Sequence, residues 1–195
     1  MSHNMDLENI IMKDLENSLV YKVDGYDYFV FPYKGISSIM PDRLNIISDL
    51  VVKLLPNFNS WNTIVTTMVD GIIVSLPIAI KLDKNLMIAR DHHYNVCNFK
   101  FLQTPRYFSR YLYLNIQSDD NDIVLIEPII SSGATAINLI KELGYSVKAN
   151  VVGVYALVNK PSYGGKDKII DMGVNCRTVF DVVIHDGRVK CNCTY

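Results

Sequence analysis

"NDIVLIEPIISSGATAINLIKEL", residues Asn121 to Leu143, joins an apolar run to an amphipathic segment through a turn dense in hydroxyls. Ile123, Val124, Leu125 and Ile126 form a short continuous apolar run, the pattern of a strand buried on both faces. Glu127 and Pro128 follow, and Ser131-Ser132-Gly133-Ala134-Thr135 then leads into a helical pattern from Ala136 to Leu143. A plain strand-to-helix turn needs neither the acid nor the hydroxyls around the glycine. In open α/β sheets ligands bind at the carboxyl ends of strands, which sets Glu127 beside a ligand. Backbone N–H groups at a helix N-terminus lack partners and carry partial positive charge, so the turn suits a phosphate. Gly133 lets the backbone approach closely, while Ser131, Ser132 and Thr135 offer hydroxyl donors. A carboxylate beside a phosphate would repel it but can accept hydrogen bonds from sugar hydroxyls. Acid and cradle together point to a ribose 5-phosphate.

The rest of the chain bounds this reading. With 195 residues, 49% hydrophobic and 20% charged, it reads as one globular domain over residues 1–195 with a sizeable core. A net charge of -1 leaves no electrostatic footprint for nucleic acid. Apolar runs such as Gly71 to Leu82 are too short to span a bilayer. The opening "MSHNMDLENIIMKDLEN" lacks the basic-then-apolar order of a signal peptide, so a cytoplasmic protein is expected. Cys97, Cys176, Cys191 and Cys193 are then expected as reduced thiols, with Cys191-Asn192-Cys193 on a frayed C-terminal strand.

Strand and helix patterns alternate along the chain. Asp6 to Leu19 has helical spacing at Ile10, Ile11, Leu15 and Leu19, and Tyr26 to Phe31 reads as a strand. Pro41 and Asp42 open a second helix with Leu44, Ile47, Leu50, Val51 and Leu54 on one face. A strand at Asn62 to Thr67 ends in the turn Met68-Val69-Asp70-Gly71, and a helix follows that Pro77 would kink or start later. Asn85 to Ala89 is a further strand, and Arg90 to Ser109, without clean period, is expected as a mobile loop or hairpin. "VKANVVGVYALV", "GGKDKIIDMG" and "CRTVFDVVI" read as strand, short helix and strand, and His185 to Arg188 as a turn into a hairpin partner. The predicted class is α/β: a mainly parallel twisted sheet flanked by helices.

The opening stretch resembles the phosphoribosyl-diphosphate (PRPP) binding motif of the type I phosphoribosyltransferases. That motif is four apolar residues, two acids, two apolar residues, then a Ser/Thr-Gly-Gly/Ala-Thr/Ser turn. Ile123 to Ile126, Glu127 and Ser131 to Thr135 match it; Pro128 stands where most members have the second acid, as it does in uracil phosphoribosyltransferases. "FPYKGISSIMPDRLNIISDLVVKLL" resembles the entry segment of the adenine enzymes. "TTMVDGIIVSLPIAIKL" falls where the family has its pyrophosphate loop, with Asp70 where the adenine enzymes commonly have Arg.

The resemblance implies the type I phosphoribosyltransferase fold, with a small hood from terminal segments. It implies transfer of ribose 5-phosphate from PRPP to a nucleobase with release of diphosphate. Its catalytic residues would be Glu127 and Arg90. Ser131, Ser132, Gly133, Ala134 and Thr135 would hold the 5-phosphate, and Thr67, Met68, Val69, Asp70 and Gly71 the diphosphate. Lys100, Arg106 and Arg110 are candidates for basic contacts from the closing loop. It also implies Mg²⁺ carried mainly by PRPP, no dedicated protein metal site, a homodimer, and no nucleic-acid or membrane partner. Adenine is the expected base, with uracil and orotate as alternatives. A non-catalytic PRPP sensor is the rival class, motivated by Pro128 and Asp70.

Overall fold

The runs at 123–126 and 150–158 become the middle of one sheet, since strands apolar on both faces need cover on both. The computed structural model describes residues 2–23, 25–103, 110–116, 122–146 and 149–194. Its helices are α1 (Ser2–Glu16), α2 (Pro41–Val52), α3 (Asp70–Leu82), α4 (Ala134–Ser146) and α5 (Gly165–Asp171). Its strands are β1 (Val20–Val23), β2 (Tyr26–Phe29), β3 (Thr63–Thr67), β4 (Asn85–Ala89), β5 (Phe99–Gln103), β6 (Arg110–Leu114), β7 (Asp122–Ile130), β8 (Asn150–Asn159), β9 (Cys176–His185) and β10 (Arg188–Cys193).

Among the described residues the main sheet runs β10-β9-β8-β7-β3-β4, parallel except where β10 returns antiparallel to β9. That return turns on Asp186 and Gly187, whose φ values of 50° and 70° suit a tight hairpin. Side chains alternate across the sheet. Tyr155 and Leu157 of β8 pack into one buried layer with residues of α1, α2 and α3, while Val154 and Ala156 face α4, α5 and the β5–β6 hairpin. This is the α/β fold expected from sequence, with helices on both faces.

α2 begins at Pro41, whose missing N–H is one of the helix's orphan donors anyway. Ile47, Leu50, Val51 and Leu54 are buried as their spacing predicts, each burial contributing about 1.5–3 kcal/mol. The Tyr33 hydroxyl donates to Asp14 at 2.9 Å, and Arg43 Nε donates to the same carboxylate at 2.6 Å, joining α1, α2 and the segment between them.

Three local expectations change, and one alternative is decided. α1 ends at Glu16, leaving Leu19 exposed. α3 begins at Asp70, so Asp70 and Gly71 are its first residues and Pro77 lies inside a continuous helix. The hairpin alternative for Arg90 to Ser109 takes form in β5, which alternates buried Phe99, Phe101 and Gln103 with exposed Lys100 and Leu102 and pairs antiparallel with β6; residues 104–109, Arg106 among them, lie outside the described residues. Cys191 is not frayed but paired within β10, and burial pushes its thiol up to about 12.

Candidate active site

Strand order places the site. From β3 the chain steps one way to β4, then β7 adds on the other side of β3, so the winding reverses between β3 and β7. Connections on either side of such a reversal leave on opposite faces and open a crevice at the strands' carboxyl ends. A cleft of about 740 Å³ lies there, with Thr67 from β3 and Glu127 from β7 in its wall. The β1–β2 hairpin stands over it, contributing Tyr26, Tyr28 and Phe29.

Glu127 is inside β7 rather than at its end, because β7 continues beside β8 to the Ile130–Asn159 pair. β3 pairs with β7 only as far as Val65–Leu125, so the edge of β7 beyond it is open. An open edge tolerates Pro128, which has no N–H to give. Glu127 is only 7% exposed. Burial pushes its carboxyl up to about 7, the Thr67 hydroxyl donating to Oε2 at 3.1 Å pulls it down, and the charge of Asp70 raises it further.

Ser131, Ser132, Gly133, Ala134 and Thr135 all line the cleft. α4 begins at Ala134, two residues before the pattern predicts, so Ala134 and Thr135 belong to its first turn. The Ile137 N–H donates to Gly133 O at 2.9 Å as the first helical bond; before it the Ala134 N–H donates to Ser132 Oγ at a long 3.4 Å, a contact that a ligand oxygen can replace. Gly133 has φ +73°, and a Cβ there would press on the Gly165 carbonyl at 2.9 Å. Gly165 in turn donates its N–H to Ser131 O at 3.0 Å. The turn is thus braced from behind by the start of α5.

Thr67, Met68, Val69, Asp70 and Gly71 form the opposite wall. The Met68–Val69 peptide is cis. A Cβ on Gly71 would strike the Thr66 hydroxyl, which donates to Ile126 O at 2.7 Å. Asp70 forms an ion pair with Lys34 at 3.2 Å. Burial works to lower the Lys34 ammonium, yet the Tyr28 phenol and Asp70 together hold it above its ordinary value.

Arg90 is exposed and is not part of the cleft wall; its backbone exchanges hydrogen bonds with Tyr113, tying the end of β4 to β6. Lys100 lies over the ring of Tyr111, away from the cleft. Arg110 does reach it, with Nε donating to Gln103 at 2.8 Å and Nη1 to Asp91 at 3.0 Å. A residue with no sequence signal also lines it: Lys160, just past β8 and 4% exposed. Its ammonium donates to Tyr26 Oη at 2.7 Å and to Asp27 O at 3.3 Å. It also lies 4.4 Å from the Tyr26 ring centroid and 4.7 Å from that of Tyr163.

One cleft therefore offers oriented amides at a helix N-terminus, a buried carboxyl, and a cation set between aromatic rings. Such a set suits an anionic sugar ligand next to a flat, polar ring. No protein-family model matches the chain. A hypoxanthine/guanine phosphoribosyltransferase of Methanobrevibacter ruminantium is 27% identical over 94% of this chain and 96% of its own length. An HGPRTase-like protein of Natronomonas pharaonis is 25% identical over 91% and 95%. The adenine phosphoribosyltransferase structure from Thermoanaerobacter pseudethanolicus superposes with a TM-score of 0.71 at 15% identity, covering 90% of this chain and 99% of that one. That from Trypanosoma brucei, in complex with AMP, pyrophosphate and ribose-5-phosphate, gives 0.71 at 17%, covering 90% and 79%. The fold is that of the adenine phosphoribosyltransferases, and relatives and neighbours together support placing the chain in the type I phosphoribosyltransferase family.

Proposed function

We propose that the chain is a purine phosphoribosyltransferase, acting as one domain, that moves ribose 5-phosphate from PRPP to a ring nitrogen of a purine and releases diphosphate. The observation that carries this is the convergence of Glu127, the Ser131–Thr135 turn and the 67–71 segment on one cleft. The 5-phosphate sits at the α4 N-terminus, where oriented amides meet an anion. Ionised Glu127 accepts the ribose hydroxyls and stabilises the positive charge that develops on the sugar. Amides at 67–71 face the departing diphosphate, and the β1–β2 hairpin excludes water from the base side.

The base is a 6-oxopurine in this reading. The entry segment led to adenine, but Lys160 changes the weight of the argument. An ammonium has three donors and no acceptor, and two are given to Tyr26 and Asp27. The remaining one matches the carbonyl of hypoxanthine or guanine better than the amino group of adenine. The names of the sequence relatives agree with that choice.

Mg²⁺ enters with the substrate. The carboxylates in the cleft wall are Glu127 and Asp70, and Asp70 is already held by Lys34. That donor set suits an ion that keeps diphosphate oxygens and waters as most of its ligands. When bound it neutralises charge on the leaving group; positioning the sugar and base is left to the residues above. A homodimer and a cytoplasmic location complete the proposal. The outward side of α3 carries exposed Leu76 and Ile80, a place where a second copy can dock, and sedimentation measures it.

The test is an assay of purified protein with PRPP, Mg²⁺ and a panel of hypoxanthine, guanine, adenine, uracil and orotate. Turnover of the oxopurines first is the expected result. Turnover of adenine alone moves the base assignment back, and PRPP binding without turnover of any base favours the sensor reading that Pro128 and Asp70 motivate.

A further inference from the structure

Asp70 raises a problem that the fold answers. A carboxylate in the segment that faces a diphosphate repels the ligand it should hold. At the first turn of α3 it is electrostatically favourable for the helix, since the N-terminal dipole end attracts negative charge. For the ligand it is unfavourable unless a cation accompanies it. Lys34, from the turn after β2, supplies that cation at 3.2 Å, and both residues line the cleft.

The other cations of the cleft are engaged differently. Lys160 is enclosed by Tyr26, Tyr163 and the Asp27 carbonyl on the base side. Arg110 is joined to Gln103 and Asp91 on the β5–β6 side. Lys34 is the cation in contact with the 67–71 segment itself. Its side chain is 25% exposed and that of Asp70 27%, so the pair is neither sealed in the core nor free in solvent. A pair in that position can exchange one oxygen partner for another.

We infer that Lys34 is the residue that meets the diphosphate, held beforehand by Asp70 and beside the Tyr28 ring, the ammonium passing from the carboxylate to a diphosphate oxygen when the ligand enters. This rests on the phosphoribosyl-transfer reading. It makes Lys34 and Asp70 a unit: the lysine attracts the leaving group, and the aspartate competes for the same ammonium. Diphosphate affinity is set by the difference between the two attractions.

The test is calorimetric titration of the full chain with Mg²⁺-diphosphate and, separately, with ribose 5-phosphate, for wild type, Lys34→Met, Lys34→Arg and Asp70→Asn. Lys34→Met is expected to weaken diphosphate by about tenfold or more, the loss of one charge-assisted contact. Ribose 5-phosphate should bind as in wild type, because its cradle is the 131–135 turn. Lys34→Arg should retain most of the diphosphate affinity. Asp70→Asn, by removing the competitor, should tighten diphosphate several-fold. Wild-type binding of diphosphate that neither Lys34→Met nor Asp70→Asn changes would overturn this inference alone. So would a Lys34→Met loss equal for both ligands, which marks a structural residue. Wild-type protein that binds neither ligand removes the phosphoribosyl reading and this inference with it.

Discussion

The Thr67 hydroxyl on β3 reaches across 3.1 Å to the buried carboxyl of Glu127 on β7, joining the two strands where the sheet's winding reverses. Burial sets that carboxyl at about 7 from an ordinary 4.5. The folded state thus holds a proton there that the unfolded chain has already lost, across the interval between those values. Stability from this group is fully present below 4.5 and falls as pH rises through about 7, by about 3 kcal/mol at most. Glu127→Gln removes the titration. Denaturant unfolding from pH 4.5 to 8 should show the variant gaining on wild type as pH rises; parallel curves would mean that Glu127 is not desolvated.

In the proposed reaction the same proton is expected to govern activity. Only ionised Glu127 accepts hydrogen bonds from ribose hydroxyls on both oxygens, so kcat/KM should rise with pH through about 7. Glu127→Gln should lose chiefly kcat, with PRPP affinity changed less, because attraction to the sugar grows as positive charge develops. Thr67→Val deletes the hydroxyl that lowers the Glu127 value, and the acid limb should move to higher pH. A profile unmoved in Thr67→Val would separate that limb from Glu127.

Gly165 offers a purely steric prediction. A Cβ there would collide with Ser131 O and the Gly133 N, both part of the proposed phosphate turn. Gly165→Ala should cost about 1–3 kcal/mol and weaken ribose 5-phosphate together with it. Gly144 on α4 has open space around it, and Gly144→Ala should instead stabilise by about 0.5–1 kcal/mol with ligand binding intact. Thermal unfolding and a ribose 5-phosphate titration of both variants compare the two.

What the sequence showed and hid follows from how local each signal is. The apolar run, acid, hydroxyl-rich turn and helix of 123–143 announce themselves within about two dozen residues, and the fold sets Glu127 and the 131–135 turn in one cleft wall. Sequence puts Glu127 at the strand's carboxyl end because the unbroken apolar run stops at Ile126. β7 nonetheless runs on past Pro128, since the backbone ladder to β3 stops at Val65–Leu125 and beyond it the Thr66 and Thr67 hydroxyls bond to β7 instead. Arg90 had a motif position but not a place in the cleft wall, because its backbone is tied to Tyr113 instead. Lys160 had no pattern at all. Its setting is made by Tyr26 and Asp27, 134 and 133 positions away, and such a contact has no periodicity to read. β5 alternates over only five residues, Lys100 among them, too short a run to choose between the loop and the hairpin that its stretch allowed.

In the proposed function the choice of base rests on Lys160. Its ammonium lies between the rings of Tyr26 and Tyr163, 4.4 and 4.7 Å from their centroids, and gives hydrogens to Tyr26 Oη and Asp27 O. Those contacts fix its direction, and in the proposed function the third hydrogen serves a carbonyl on the base. Lys160→Met keeps an unbranched apolar stem between the rings while deleting every donor. A charge-assisted hydrogen bond contributes about 1.5–3 kcal/mol, so KM for hypoxanthine and guanine should rise by roughly 10- to 100-fold. PRPP, held by the 131–135 turn and the 67–71 segment, should keep its KM. Adenine, with an amino group where the oxopurines carry oxygen, gains nothing from the ammonium and should lose nothing with it. Steady-state kinetics of wild type and variant on the three bases decide the matter. An unchanged hypoxanthine KM would put the base elsewhere in the cleft. A KM for PRPP raised as much as that for hypoxanthine would show that Lys160 only holds the β1–β2 hairpin in place.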